Sequence, residues 1–303
     1  FMQLSSIGFF AFHRNKRRKV CMGEKDITEK ILADYNDVFA DIVNVLLFGG
    51  KTIVDENMLE SIKDKSQYKT DGEIHQEERD VSKVLKGKNV HIAFIGFEHQ
   101  TDVDSKEALR VIAYDGAAYK RQLLVKGGEI YPVVTIVLYF GQKRWIKGRS
   151  LYDILDITDE WKTYVSDYKI NIFEIAYLTP EKVKMFKSDF RIVADYFVQM
   201  RINKDYIPSK ETIKHVDEVL KLMSVLTQDE RFEQAQANGN KGGLKNMCEV
   251  LDRAEARGIS IGEARGELKG AVRAYLDVKV PIEEIAKKLN ISVEEVQKIA
   301  DTL

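Results

Sequence analysis

Between the polar turn Lys86-Gly87-Lys88-Asn89 and the acidic residue Glu98, the chain carries a near-continuous apolar segment, Val90 to Phe97. That is the pattern of a strand covered on both faces. Val81, Val84 and Leu85 mark a β-compatible run that stops at the same turn, so the two segments read as an antiparallel hairpin. The hairpin constrains two carboxylates. Asp80 stands at the start of the first strand and Glu98 at the end of the second, and in an antiparallel pair both fall at one end. Acidic residues converging where a buried strand runs out form an oxygen-donor site of the kind Mg²⁺ takes.

The flanking patterns surround this hairpin with helices and further strands. From Asp26 to Phe48 apolar residues recur at helical spacing, with a break near Asn36 and a stop at Gly49-Gly50. Lys51 to Glu78 is polar and reads as a short helix followed by a mobile loop with a turn at Thr70-Asp71-Gly72. After Asp104 a helix carries Ala108, Leu109, Val111, Ile112, Tyr114, Ala117, Ala118 and Leu123 as a buried stripe, with Arg110, Lys120 and Arg121 beside it. Tyr131 to Phe140 is β-branched and apolar enough for the centre of a sheet, and Gly141 ends it. Asn171 to Tyr177 is another strand, and helices run from Thr179 through Leu226. This order predicts an α/β or α+β architecture with a mixed sheet flanked by helices.

With 303 residues and 44% hydrophobic content the chain can bury one good core and carry a smaller appended unit. A formal net charge of −1 excludes a globally basic nucleic-acid coat, so any DNA contact must come from local patches of Lys and Arg. Cys21 and Cys248 are too few and too far apart for a disulfide framework, and no Cys/His group has zinc spacing, which predicts a reducing, cytoplasmic setting. Leu4 to Phe12 is apolar and precedes Arg14, Lys16, Arg17, Arg18 and Lys19, the reverse of a secretory signal and too short to span a bilayer. Residues 1–21 therefore read as a leader or basic arm ahead of Met22, with no membrane partner.

At the other end, Gln234 to Gly243 reads as a hinge and Leu244 to Ala256 as a charged helix. Gly258, Gly262, Gly266 and Gly270 then recur on one helical face, which fits either close backbone approach or a frayed helix. Pro281 opens a helix, Asn290-Ile291-Ser292 makes a turn, and Val293 to Leu303 forms a second helix with Ser292 as N-cap. This resembles a helix-turn-helix. Its second helix opens with Val293-Glu294-Glu295, and glutamates face phosphates badly, so a packing or homo-oligomerisation element is expected rather than base readout. The boundaries drawn are 22–205 for the main domain, 206–256 for a helical extension and 257–303 for the terminal helical unit.

Several segments together carry a family resemblance. Asn36-Asp37-Val38-Phe39, Leu46-Leu47-Phe48-Gly49, Arg79-Asp80-Val81, Gly96-Phe97-Glu98-His99-Gln100-Thr101, Leu109 to Asp115 and Tyr139-Phe140-Gly141 with Trp145 occur in order between Asp26 and Arg201. In these the chain resembles the bacterial Rpn recombination-promoting nucleases, also grouped as YhgA-like transposases, within the PD-(D/E)XK nuclease superfamily. The resemblance implies an α/β, restriction-endonuclease-like core and a metal-dependent DNA endonuclease that promotes recombination or mobile-element movement. Asp80 would match the strand aspartate, Glu98 the acidic member of the signature and Gln100 its lysine. Asp37 and Asp41 are the candidates for an acidic residue on the first helix, one turn apart on one face.

The resemblance carries a departure. A glutamine amide holds a water but cannot act as a general base near neutral pH. Two other readings follow, a nuclease-like DNA-binding or regulatory protein without activity, and a structural protein with an acidic cluster. In the endonuclease reading Mg²⁺, or Mn²⁺ as a substitute, sits on Asp80, Glu98 and the His99 main-chain carbonyl and supplies the activated water, while Arg110 neutralises charge on the phosphate. The His99 side chain alternates away from Glu98 and Gln100. The plain alternative for Arg110 is an ion pair with Asp104 or Glu107.

Overall fold

The computed structural model describes residues 32–62, 65–70, 73–78, 81–95, 106–125, 127–227, 229–237 and 245–303. Helix α1 (Asn36–Phe48) buries Val38, Phe39, Ile42, Val43, Val45 and Leu46, each such side chain contributing about 1.5–3 kcal/mol. The break anticipated near Asn36 falls at Tyr35, whose backbone is extended (φ −69°, ψ 130°). It has a physical cause. The Lys83 ammonium donates to the Asp34 carbonyl at 2.7 Å on one side of the break and to Asn36 Oδ1 at 2.8 Å on the other. At the far end Gly49 takes the left-handed conformation (φ 61°), and Gly50 N–H returns to the Asn44 carbonyl at 2.9 Å.

A five-stranded sheet lies under α1, in the order β1-β4-β5-β6-β7. Its strands are β1 (Leu59–Ser61), β4 (Val81–Leu85), β5 (Val90–Ile95), β6 (Val133–Tyr139) and β7 (Asn171–Glu174). A separate two-stranded hairpin, β2 (Lys65–Thr70) with β3 (Glu73–Glu78), intervenes in the chain. β1, β4 and β5 pair antiparallel, whereas β5, β6 and β7 pair parallel. The parallel step requires a crossover, supplied by α2 (Glu107–Leu124).

Side chains alternate along the strands into two layers. Ile92, Phe94, Ile136, Leu138 and Phe140 enter the larger core with α1, where the Phe39 and Phe94 rings stack at 4.3 Å between centroids. Val137, Tyr139 and Ile172 face the other way, into a smaller core with Ala108, Val111 and Trp145. The mixed α/β sheet between helices is thus as expected.

Three local expectations change. The segment 51–78 holds a single 3₁₀ turn (Glu56–Met58) where a short helix was expected, and β1 with the β2–β3 hairpin in place of the loop. Leu59 is buried while Glu60 and Ser61 are exposed, so β1 carries almost no periodic signal, and β2 and β3 are mostly polar. The strand expected over Asn171 to Tyr177 ends at Glu174, where a 3₁₀ turn (Ile175–Tyr177) takes over. In α2 the residues buried are Glu107, Ala108, Val111, Asp115, Ala118 and Gln122, while Leu109 and Leu123 are exposed.

Short helices α3 (Asp159–Lys162) and α4 (Pro180–Val183) precede α5 (Phe190–Asn203), α6 (Val216–Thr227) and α7 (Glu230–Ala237). Phe190, Phe197, Leu220, Leu222 and Met223 complete the larger core. Helix α8 (Met247–Asp277) runs through all four glycines without a break. Its end packs with α9 (Ile282–Leu289) and α10 (Val293–Ala300) around Val272, Ile285, Ala286 and Val296, a third apolar cluster. Ser292 Oγ accepts the Glu295 N–H at 3.1 Å, the N-cap anticipated there. Among the described residues no helix is long and apolar enough to cross a membrane.

Candidate functional site

The sheet register fixes one edge of the molecule as the place to look. Val81 opens β4 opposite Phe94 near the end of β5, and Ile95 at that end lies beside Val137 of β6. The amino end of β4 and the carboxyl ends of β5 and β6 therefore share one side of the sheet. Asp80, Glu98, His99 and Gln100 lie outside the described residues, and so does Asp104. In the chain Asp80 directly precedes Val81, and Glu98 follows closely after Ile95.

Arg110 is described. It stands in the first turn of α2, and α2 must begin at the end where β5 finishes, since it carries the chain back for the parallel strand β6. Its guanidinium pairs with Glu107, whose side chain is 3% exposed. A carboxylate so deeply buried needs a charged partner, and the (i, i+3) spacing provides one. Glu107 thereby orients Arg110.

A second buried acid on α2, Asp115, accepts hydrogen bonds from Thr135 Oγ1 of β6 and from the Tyr168 hydroxyl. From the sequence Glu107 entered only as the alternative ion-pair partner of Arg110, which it is, and Asp115 only as the end of a family segment; neither was read as buried. The signal was present: both fall at helical spacing with Val111, on the face that turns to the sheet.

The two acidic candidates on α1 are held elsewhere. The Asp37 carboxylate accepts from Lys214 Nζ at 2.7 Å and lies 3.2 Å from His215 Nε2. Its partial burial alone would raise its pKa, but the hydrogen bonds from Lys214 and His215 outweigh that and hold it below the ordinary Asp range. Asp41 Oδ2 accepts the backbone N–H groups of Lys187 and Ser188 at 2.8 and 2.7 Å. Both carboxylates line a cleft of about 500 Å³ with Asp55, Glu56 and Asn57.

The α1-side acid that reaches the hairpin is Asp34. Its carboxylate, 61% exposed, lies 3.2 Å from the ammonium of Lys83, which is 1% exposed and also donates to Ser61 Oγ at 3.0 Å. Asn36 ties the same region to β1 through the Leu59 carbonyl at 3.1 Å. Among the described residues no group of three or more His, Cys, Asp or Glu side chains could hold a metal ion.

A family model described as "Putative transposase, YhgA-like" matches residues 51–234, more than half of the chain. The chain belongs to that family. The matched YhgA-like region begins after α1 and takes in the whole sheet, while α8, α9 and α10 lie beyond it. No curated protein and no solved structure matches the chain.

Proposed function

We propose that this YhgA-like protein is a metal-dependent DNA endonuclease, with a restriction-endonuclease-like PD-(D/E)XK core, acting in recombination or mobile-element movement. One observation carries the reading. In a member of this family, the antiparallel register of Val81 with Phe94 and the parallel register of Ile95 with Val137 bring the amino end of β4 and the carboxyl end of β5 to one side of the sheet. Asp80 and Glu98 adjoin those strand ends in sequence.

The donor set has the right chemistry for Mg²⁺ or Mn²⁺. Two carboxylates and the His99 carbonyl are hard oxygen ligands, and such ions keep several waters beside one or two carboxylates and a substrate phosphate. When bound, the ion supplies a water of lowered pKa and polarises the phosphate. Gln100 would hold a water through its amide, and Arg110, aimed by Glu107, would meet charge on the phosphate. Asp37 or Asp41 would join the ligand set only by leaving the lysine, histidine and backbone donors that hold them here.

The test is plasmid nicking by the purified chain with Mg²⁺ against EDTA, repeated with Glu98→Ala. Cleavage by the wild type that needs Mg²⁺, and its loss by a factor of at least about a hundred in Glu98→Ala, is the expected result. Plasmid left intact by both proteins but shifted on a gel would establish the inactive DNA-binding reading that Gln100 permits.

A further inference from the structure

The sheet edge that carries the candidate site also carries the most one-sided run of charge in the described core. Residues 141–149, Gly-Gln-Lys-Arg-Trp-Ile-Lys-Gly-Arg, hold four basic residues and no acidic one, in a chain whose formal net charge is −1. The loop leaves the carboxyl end of β6, beside the end of β5, because those strands are parallel with Ile95 opposite Val137. In open α/β sheets ligands gather outside the carboxyl ends of parallel strands.

The loop is built rather than loose. Trp145 is buried and meets Tyr139 edge-on at 5.1 Å, and its backbone N–H donates to Glu174 Oε1 at 2.8 Å. Glu174 also receives Arg149 at 2.7 Å and Arg144 at 3.2 Å. The Tyr177 hydroxyl donates to the Gln142 carbonyl at 2.7 Å, and the Arg144 and Arg201 guanidinium groups lie 4.5 and 4.7 Å from its ring centre. Glu174, and Asp153, which accepts the backbone N–H groups of Arg149 and Ser150, hold the frame of this loop among the described residues. Lys143 and Lys147 are exposed on either side of Ile146, which is 78% exposed.

We propose that the 141–149 loop is a DNA-backbone ridge: Lys143 and Lys147 grip the phosphates of a duplex and lay it across the sheet end from which Asp80 and Glu98 depart in sequence. A fixed backbone loses little entropy when its lysines engage phosphates, and the exposed Ile146 offers an apolar contact for sugar between them. The choice of DNA as occupant rests on the endonuclease reading. The ridge supplies affinity without sequence preference, since phosphate contacts carry no base information.

The experiment is fluorescence anisotropy of a labelled DNA duplex in EDTA over a range of salt, with wild type, Lys143→Glu/Lys147→Glu, the milder Lys143→Gln/Lys147→Gln, and Lys287→Glu/Lys298→Glu on the terminal helices. The ridge predicts a dissociation constant raised about tenfold or more in the first double variant and less in the second. The slope of log affinity against log salt should shrink by about two, each phosphate contact contributing about 0.9. Unchanged affinity in both loop variants, loss confined to the Lys287/Lys298 variant, or no binding by wild type would overturn it. An unaltered melting temperature in the glutamine variant shows that the fold survives.

Because binding is read without metal, the two proposals fail separately. Mg²⁺-dependent nicking with binding indifferent to Lys143 and Lys147 removes the ridge alone. Ridge-dependent binding with no nicking removes the endonuclease alone.

Discussion

Asp37 illustrates how a residue chosen for one role is placed for another. Its carboxylate joins α1 to Lys214 and His215, at the start of α6, and the His215 ring stacks on Tyr35 at 3.8 Å. Its folded pKa is depressed, so its contribution to stability is fully present above the unfolded value of about 3.9 and is lost as pH falls through the lower folded value. Asp37→Asn should therefore cost about 1 kcal/mol near neutral pH. In urea unfolding across a pH series, the gap to wild type should hold above pH ~4 and close below it. A gap that failed to close in acid would show that the carboxylate is not stabilised by these partners.

Lys83 carries the complementary lesson. Alternation along β4 puts Lys83 on the buried face with Val81 and Leu85, where a charge needs partners, and its ammonium is enclosed among Asp34, Asn36 and Ser61, with the Phe39 ring 5.6 Å away. These acceptors come from the break before α1 and from β1, and nothing in the sequence near Lys83 announces them.

The elements divide by how much of their stability is local. The β4–β5 hairpin and β6 were legible because alternating or continuous apolar runs bounded by turn residues record burial directly, and Lys86-Gly87-Lys88-Asn89 does form the turn, with Gly87 and Asn89 at positive φ. β1 was not legible, because three residues with one buried side chain leave no period to detect.

Helix α8 runs across the boundary drawn at 256/257, and its glycine stretch, for which close backbone approach and fraying were both open, is continuous helix carried by length and the packing of its two ends. A Cβ at Gly258, Gly262, Gly266 or Gly270 would meet nothing within 4 Å. Gly262→Ala/Gly266→Ala should thus stabilise the helix by up to about 1 kcal/mol per site, read as higher helicity and melting temperature. Destabilisation, or a changed oligomeric state, would instead mean that this face packs on a second chain.

At the scale of the whole molecule, the sheet core and the terminal helices bury separate apolar clusters. Val272, Ile285, Ala286 and Val296 hold α9 and α10 on the end of α8, without a residue of the larger core among them. Ile285→Ala should cost about 2–5 kcal/mol in a unit this small and melt it locally. Hydrogen exchange should then show lost protection in α9 and α10 with β5 and β6 unchanged; parallel loss in the strands would mean that the units unfold together.

By itself the sequence determined the elements with strong short-range periodicity, the capped terminal helices, and a family resemblance that the match over residues 51–234 supports. Only the tertiary structure decided the strand order β1-β4-β5-β6-β7, the enclosure of Lys83 and Asp115, and the capture of Asp37 by Lys214, 177 residues away. The physical reason is range. Periodicity reports how each residue meets its near neighbours, while a buried charge is decided by the partner that the fold brings from elsewhere in the chain.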